Sequence, residues 1–282
     1  MTFPYALSVP LLKDVNNRMP QALCELTPTA VNRNLIINRD IPPFDNPDLR
    51  RAMALSLDRQ AFIDIISEGK GDIGGVMQPL PEGLWGTPPD MLKNLPGYDV
   101  DVQKSRGNAR QIMHQLGYGP DNRLKVKVTT RDLPFFRDPA VILIDQLKKV
   151  YIDGELEIID TTLYYPKILR KDYVVALNQS QSGPDPDPIL GGIYGCGSES
   201  NVDGYCNPEV DKLIEEQSIE VDPGRRKQLV WAVERRLAED GARPIIFYSR
   251  AGTCWQPYVK GLTIMVNSLH NGNRMEDVWL DK

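Results

Sequence analysis

The sequence predicts an α/β fold built on a parallel sheet. Three strand-like segments alternate with two helical segments between residues 124 and 177, and this order is typical of parallel strands joined by right-handed crossovers. The strands cover residues 124–128, 156–159 and 173–177, and the helices cover residues 138–150 and 164–170. Residues 124–128 alternate apolar and polar side chains, whereas Val141, Ile144 and Leu147 recur at helical spacing. The two periodicities therefore indicate one α/β lobe.

Five further helices are predicted outside this unit, because apolar side chains recur at helical spacing, in most cases after a capping residue. They begin near Asn46, Asp58, Val102, Asn207 and Asp222. Residues 1–45, by contrast, contain six prolines and one strand-like segment at residues 34–38. We expect these first residues to be otherwise irregular.

Two apolar segments far apart in the sequence, residues 35–37 and 244–248, are predicted to be neighbouring strands that cross between two lobes. Residues 45–240 then form one complete α/β lobe. Residues 1–44 form a remnant of the first lobe with the first hinge strand, and residues 241–282 form the second hinge strand with the C-terminal part of the first lobe. Two such connecting strands are typical of a hinge.

Composition argues against several classes of protein. The 282 residues carry a net charge of −5 with acidic and basic residues well mixed, which predicts no nucleic-acid partner. No apolar stretch approaches the length of a membrane span. The two histidines and the four cysteines, none in a Cys-x-x-Cys pattern, predict no metal site. A G-x-G-x-x-G pattern at residues 69–74 follows a helix and not a strand, so we expect no nucleotide cofactor.

The candidate ligand site follows the strand of residues 173–177. Polar side chains and three prolines come directly after it, and ligands of open α/β sheets lie beyond the carboxyl ends of the strands. The predicted ligand-binding residues here are Gln179, Gln181, Asp185 and Asp187. The prolines restrict the residues before them, so both carboxylates are held in fixed directions. These aspartates either contact the ligand or cap their own loop, and the sequence leaves both alternatives open.

Two residues near the C-terminus are further ligand-binding candidates. Arg250 follows the second hinge strand, where it can pair with an anionic solute or bridge the two lobes. Trp255 can contact a ligand or belong to the core. In the preceding region, Cys196 and Cys206 enclose a glycine-containing loop, which predicts a disulfide; two unpaired thiols are the alternative.

Several motifs together resemble the solute-binding proteins of peptide, nickel and opine ABC importers, the extracellular family 5. The motifs are PPFD at 42–45, LRRA at 49–52, LDR at 57–59, DPDP at 185–188, GYCNPEVD at 204–211 and AEDGARPI at 238–245. Their order and spacing match over nearly all of residues 30–265. The resemblance implies a periplasmic-binding-protein-like fold of type II, cluster C, with one complete lobe and the C-terminal remnant of the other.

The same resemblance implies a function. The chain would capture a peptide or another small polar solute between two lobes and deliver it to the transmembrane subunits of an ABC permease, acting as a monomer. It also implies a periplasmic location, where the oxidising environment lets Cys196 and Cys206 pair. The signal peptide and most of the first lobe would then be absent from this chain.

Departures from the family pattern keep other functions open. Many members carry an Asp that pairs with the α-amino group of a peptide, and here that residue aligns with Asp185 or is replaced by Pro184. An amide-rich wall would equally suit a sugar or an opine. An α/β hydrolase-like enzyme that uses Asp185 and Asp187 is the alternative function. No nucleophile or metal motif accompanies them, so we predict that the chain is not an enzyme. A third alternative is a stable domain that binds nothing.

Overall fold

The molecule, a computed structural model that describes residues 7–266 and 274–281, is centred on a six-stranded sheet. Its strands are β1 (Leu23–Ile37), β2 (Gly71–Asp72), β3 (Leu124–Arg131), β4 (Ile152–Ile159), β5 (Val175–Gln181) and β6 (Ile245–Trp255). They lie in the order β2-β6-β1-β5-β3-β4, beside a small second sheet of β7 (Val259–Lys260) and β8 (Trp279–Leu280). Because β3 is parallel to both β4 and β5, the predicted α/β unit is confirmed.

Ten α-helices accompany the sheet in the described part of the chain. They are α1 (Val9–Arg18), α2 (Pro47–Ser56), α3 (Arg59–Ser67), α4 (Pro89–Leu92), α5 (Val102–Gln115), α6 (Pro134–Lys148), α7 (Thr161–Leu169), α8 (Asp187–Ile189), α9 (Pro208–Ile219) and α10 (Pro223–Glu239). The five helices predicted outside the parallel unit are present. The side chains of Asn46, Asp58, Asn207 and Asp222 accept hydrogen bonds from backbone amides of the first turn, as N-caps do. None of the described helices is long and apolar enough to cross a membrane.

The two proposed connecting strands, β1 and β6, are antiparallel neighbours. Asn34 lies opposite Ile245 and Arg33 lies opposite Phe247. The predicted adjacency of residues 35–37 and 244–248 is therefore confirmed, and β1 pairs with β5 on its other side. The division of the chain into lobes at residues 45 and 240, and the hinge role of the two strands, stay predictions.

The expectation that the first 45 residues are mostly irregular is wrong. Helix α1 begins at Val9, and β1 extends over 15 residues from Leu23. Pro28 is accommodated in this strand because the ladder between β1 and β6 shifts register between Pro28 and Asn32. A proline is tolerated at such an irregularity, where the missing amide hydrogen leaves no ladder bond unmade.

Apolar side chains pack on both faces of the sheet. One face buries Leu35, Val128 and Leu177 beneath α2, α3, α5 and α6. The other face buries Ile36 against Tyr164 of α7. Adjacent residues of a strand point to opposite faces, which is why Leu35 and Ile36 belong to different clusters. A third cluster packs α9 and α10 against the loop that follows β2.

All four cysteines form disulfides. Cys196 is bonded to Cys206, which confirms the predicted pair and makes the unpaired-thiol alternative wrong. Cys24 is bonded to Cys254 across the central strands, since the two residues lie opposite each other on β1 and β6 with 4.1 Å between their Cα atoms. The second bond was not predicted, because nothing in the sequence shows that positions separated by 230 residues are neighbours.

Candidate functional site

The amides predicted to bind ligand lie within the sheet and not in a loop. Strand β5 extends to Gln181, so the expectation that the strand ends at residue 177 is wrong. Gln179 lies opposite Arg33, and its Oε1 accepts a hydrogen bond from Arg33 Nη1 at 3.1 Å. Pairing with β1 satisfies the backbone of this polar segment and keeps it extended.

Arg33 is a buried cation at this edge of the sheet. It is 6% exposed, its Nε donates to the carbonyl oxygen of Phe135 at 3.4 Å, and its guanidinium carbon lies 4.7 Å from the centre of the Phe136 ring. Burial lowers the pKa of Arg33 to about 10, and the nearby charge of Arg131 acts in the same direction. Within residues 7–266 and 274–281, no carboxylate forms an ion pair with Arg33. The cost of burying this charge is therefore not offset by a counter-charge.

Arg131, the last residue of β3, is the second buried guanidinium. It is also 6% exposed. Its guanidinium carbon lies 3.6 Å from the centre of the Phe136 ring and 4.9 Å from the centre of the Tyr165 ring. Its Nε and Nη2 are buried without a hydrogen-bond partner among the described residues. Both arginines thus pack on Phe136, at the edge where β3 and β5 end.

The two loop aspartates are engaged within the protein. Arg226 of α10 donates from Nη1 and Nη2 to the two carboxylate oxygens of Asp185, both at 3.0 Å, and its Nη2 lies 3.3 Å from Asp187 Oδ1. Burial alone would raise the pKa of Asp185, but the hydrogen bonds and charge of Arg226 outweigh it, so the pKa lies below its ordinary value. Ser218 also donates to Asp187, at 2.8 Å. The carboxylates therefore hold the loop after β5 to α9 and α10.

The aromatic residue Trp85 completes this loop anchor. Its indole Nε1 donates to the carbonyl oxygen of Pro184 at 2.8 Å, and the guanidinium carbon of Arg226 lies 4.9 Å from the centre of its ring. The loop that follows β2 is thereby tied to the loop that follows β5. Ser182, the residue after β5, also donates to the carbonyl oxygen of Val76 at 3.2 Å, so the loop after β2 lies against the end of β5.

The two C-terminal candidates do not join this cluster. Arg250 forms a two-point ion pair with Asp72 of β2, with Nε and Nη2 at 2.9 Å and 2.7 Å from the carboxylate oxygens. Trp255 lies opposite Leu23, whereas Gln181 lies opposite Val31. Leu23 and Val31 are eight positions apart along β1, a distance of about 27 Å at the usual rise of a strand. Gln179 and Gln181 are the predicted residues that share an edge with the buried arginines.

Arg33 and Arg131 are the candidate site residues that sequence reasoning missed. One signal was available for Arg131, which follows the predicted strand of residues 124–128 by three positions. Parallel strands end at one edge of a sheet, so polar residues that follow any of these strands are candidates for the ligand site. No comparable signal existed for Arg33, because its position depends on pairing between β1 and β5. Among the described residues, no group of His, Cys, Asp or Glu side chains is placed to hold a metal ion.

Comparison with known proteins decides the family. Residues 1–201 match the model of the bacterial extracellular solute-binding proteins, family 5, middle region. The chain belongs to this family. It is 23% identical over 224 residues to di/tripeptide-binding protein 1 of Pseudomonas aeruginosa. It is 27% identical over 233 residues to the periplasmic oligopeptide-binding protein OppA of Haemophilus influenzae. These alignments cover 77% and 80% of this chain, but only 39% and 41% of the relatives.

Solved structures show the same fold. The complex of Haemophilus influenzae OppA with the peptide RPPGFSPFR superposes with a TM-score of 0.80 at 22% identity, over 99% of this chain and 54% of that chain. The murein tripeptide binding protein MppA of Escherichia coli superposes with a TM-score of 0.82 at 18% identity, over 97% and 52%. The family-5 chain thus has the periplasmic-binding-protein-like fold that the sequence predicted, and it spans about half the length of these structures.

Proposed function

We propose that this chain belongs to the solute-binding component of an ABC importer, which captures a peptide or another small polar solute. The observation that carries the proposal is the pair of buried guanidiniums, Arg33 and Arg131, beside the amide of Gln179. They lie at the edge of the sheet where β3 and β5 end, the place at which α/β folds bind ligands. Family membership and the peptide-binding names of the relatives support it.

The proposed mechanism is closure of two lobes over the solute. Strands β1 and β6 are the connecting strands, and a small change in their backbone angles would rotate one lobe against the other. A solute that contacts both lobes stabilises the closed state, which the transmembrane subunits of the permease recognise. Arg33 belongs to β1 itself, so a solute bound there would contact a connecting strand directly.

The cellular setting follows from the same proposal. We place the protein in the periplasm, as a monomer that meets the permease and no nucleic acid. Its two disulfides suit an oxidising compartment. Of the residues proposed from sequence, Gln179 and Gln181 stay ligand contacts, whereas Asp185, Asp187 and Arg250 act by holding loops. Trp255 is proposed to contact ligand only if a second lobe brings the solute to it.

The alternative of a hydrolase at Asp185 and Asp187 has no support among the relatives. Both carboxylates are paired with Arg226, which lowers the pKa of Asp185 and disfavours its use as a general acid. Binding without catalysis is therefore our proposal.

Native mass spectrometry of the full-length protein, purified without unfolding, tests the proposed function. We expect a co-purified small solute that dissociates intact and is released by mild denaturation. Fresh apo-protein should bind that solute again in isothermal titration calorimetry. Turnover of the solute, or the absence of any bound or rebinding molecule, would contradict the proposal.

Replacing Asp185 by Asn tests whether this carboxylate holds the loop. We expect the free energy of unfolding to fall by about 1 kcal/mol, because a half-exposed two-point ion pair is lost. Affinity for the co-purified solute should change by less than about twofold. Replacing Glu209 by Gln is the control, since it breaks an exposed pair with Arg236 and should change stability by less than about 0.5 kcal/mol. If D185N retains its stability but loses affinity, Asp185 contacts the ligand.

A further inference from the structure

Two guanidiniums without a carboxylate partner among the described residues pack on one aromatic ring at the candidate site. Each of Arg33 and Arg131 is 6% exposed, and both pack on the ring of Phe136. Elsewhere in the described protein, buried arginines have acceptors for their charge: Arg243 pairs with Asp203, and Arg50, Arg59 and Arg106 donate to backbone carbonyl oxygens. Leaving two like charges buried and unpaired destabilises the free protein, and a bound anion would offset that cost.

The free edge of Arg131 identifies the chemistry of that partner. Its Nε and Nη2 form the side of the guanidinium that binds a carboxylate or phosphate at two points, and both atoms lack a partner among the described residues. Arg250 uses the same two atoms to hold Asp72 at 2.9 Å and 2.7 Å. Arg131 can therefore bind a carboxylate or phosphate through the same two atoms, and no described residue accepts a hydrogen bond from them.

We propose that Arg33 and Arg131 together bind a doubly negative group of the solute, either a phosphate monoester or two neighbouring carboxylates. This rests on the proposed function and specifies its solute class. A dianion would neutralise both guanidiniums, whereas a zwitterionic peptide brings as much positive as negative charge and would leave net positive charge buried.

The surroundings of the pair suit a bound anion. Phe135 and Tyr165 are 49% and 43% exposed, and their rings lie over Arg33 and Arg131, respectively. They are the exposed members of the cluster, so an anion would reach the guanidiniums past these two rings. Gln179, fixed by its hydrogen bond from Arg33, borders the same edge. Apolar walls exclude water and strengthen the attraction between the anion and the arginines.

Titration calorimetry on the full-length apo-protein with inorganic phosphate, succinate and acetate tests this proposal. We expect phosphate or succinate to bind at least about tenfold more tightly than acetate. R33M and R131M should each weaken that binding by at least about tenfold, and R131K should also weaken it because lysine lacks the planar fork. R236M is the control, since Arg236 is exposed and paired with Glu209 and Glu239, and it should bind as the parent does.

The stability of the ligand-free variants gives a second measurement. Since each arginine carries an uncompensated charge, R33M and R131M should unfold at a denaturant concentration equal to or above that of the parent.

A lower midpoint in both variants, equal affinity for acetate and the dianions, or no binding of any probe would overturn the dianion assignment. If the co-purified solute is zwitterionic or cationic, the dianion assignment fails while the proposed function stands. If no solute is bound or rebound, the proposed function itself fails.

Discussion

Replacing Cys24 and Cys254 by serine is expected to lower the free energy of unfolding by about 5 kcal/mol, the largest effect that we predict. The bond joins positions 230 apart in the sequence. It therefore closes a very long loop in the unfolded chain, and the loss of conformational entropy there is large. It also links β1 to β6, the strands proposed to connect the lobes. Denaturant unfolding of the full-length protein without reductant, followed by circular dichroism, measures the loss.

The second disulfide provides the matched control. Cys196 and Cys206 are separated by 10 residues, so replacing both by serine should lower the free energy of unfolding by only about 3 kcal/mol. The order of the two losses follows from loop length alone. A larger loss for the Cys196–Cys206 pair would mean that native contacts around each bond, and not the unfolded chain, determine its contribution.

The parallel unit was predictable because its signals are local. Val126 and Val128 alternate with lysines in β3, and the buried residues of α6 recur at helical spacing. The periodicity of each element can therefore be recognised within a short segment. The N-cap residues Asn46 and Asn207 likewise act within one turn of their helices. Local periodicity and capping therefore sufficed for the α/β class and for most helices.

The errors arise where a distant strand decides the conformation. Pro28 suggested irregular structure, yet β6 supplies a partner strand whose register shift tolerates it. Gln179 suggested a loop, yet pairing with Arg33 keeps it extended. The candidate site has the same origin, since Arg33 and Arg131 are 98 positions apart in numbering and meet only because β5 lies between β1 and β3. Chemistry that depends on strand order cannot be found by examining segments one at a time.

Glu234 is an acidic residue that holds a loop from inside the protein. It lies on α10, is 2% exposed, and accepts hydrogen bonds from the backbone amides of Met77 at 2.7 Å and Thr87 at 3.0 Å, as well as from the Thr87 hydroxyl. It therefore fixes both ends of the loop that carries Trp85. Burial raises the pKa of Glu234 from 4.5 to about 7, although the hydrogen bonds from Thr87 and Met77 oppose the change.

We expect the raised pKa of Glu234 to make the folded protein less stable as the pH rises. Because the folded state holds the proton more tightly than the unfolded state, the contribution of Glu234 is fully present below pH 4.5 and is lost as the pH rises to about 7. The difference between the two pKa values corresponds to about 3 kcal/mol. E234Q cannot titrate, so the free energy of unfolding of the parent relative to E234Q should fall by about 3 kcal/mol between pH 4.5 and pH 8.

This prediction concerns how the free energy of unfolding changes with pH, and not its value at a single pH. E234Q presents an amide nitrogen to the backbone amides of Met77 and Thr87, so it will have its own fixed cost at every pH. Glu239 ends the same helix on the surface, paired with Arg236, and E239Q should leave the slope of the parent unchanged. A parent and an E234Q variant with parallel stability curves across this range would show that Glu234 stays ionised in the folded state. The hydrogen bonds of the loop would then outweigh the burial of the carboxylate.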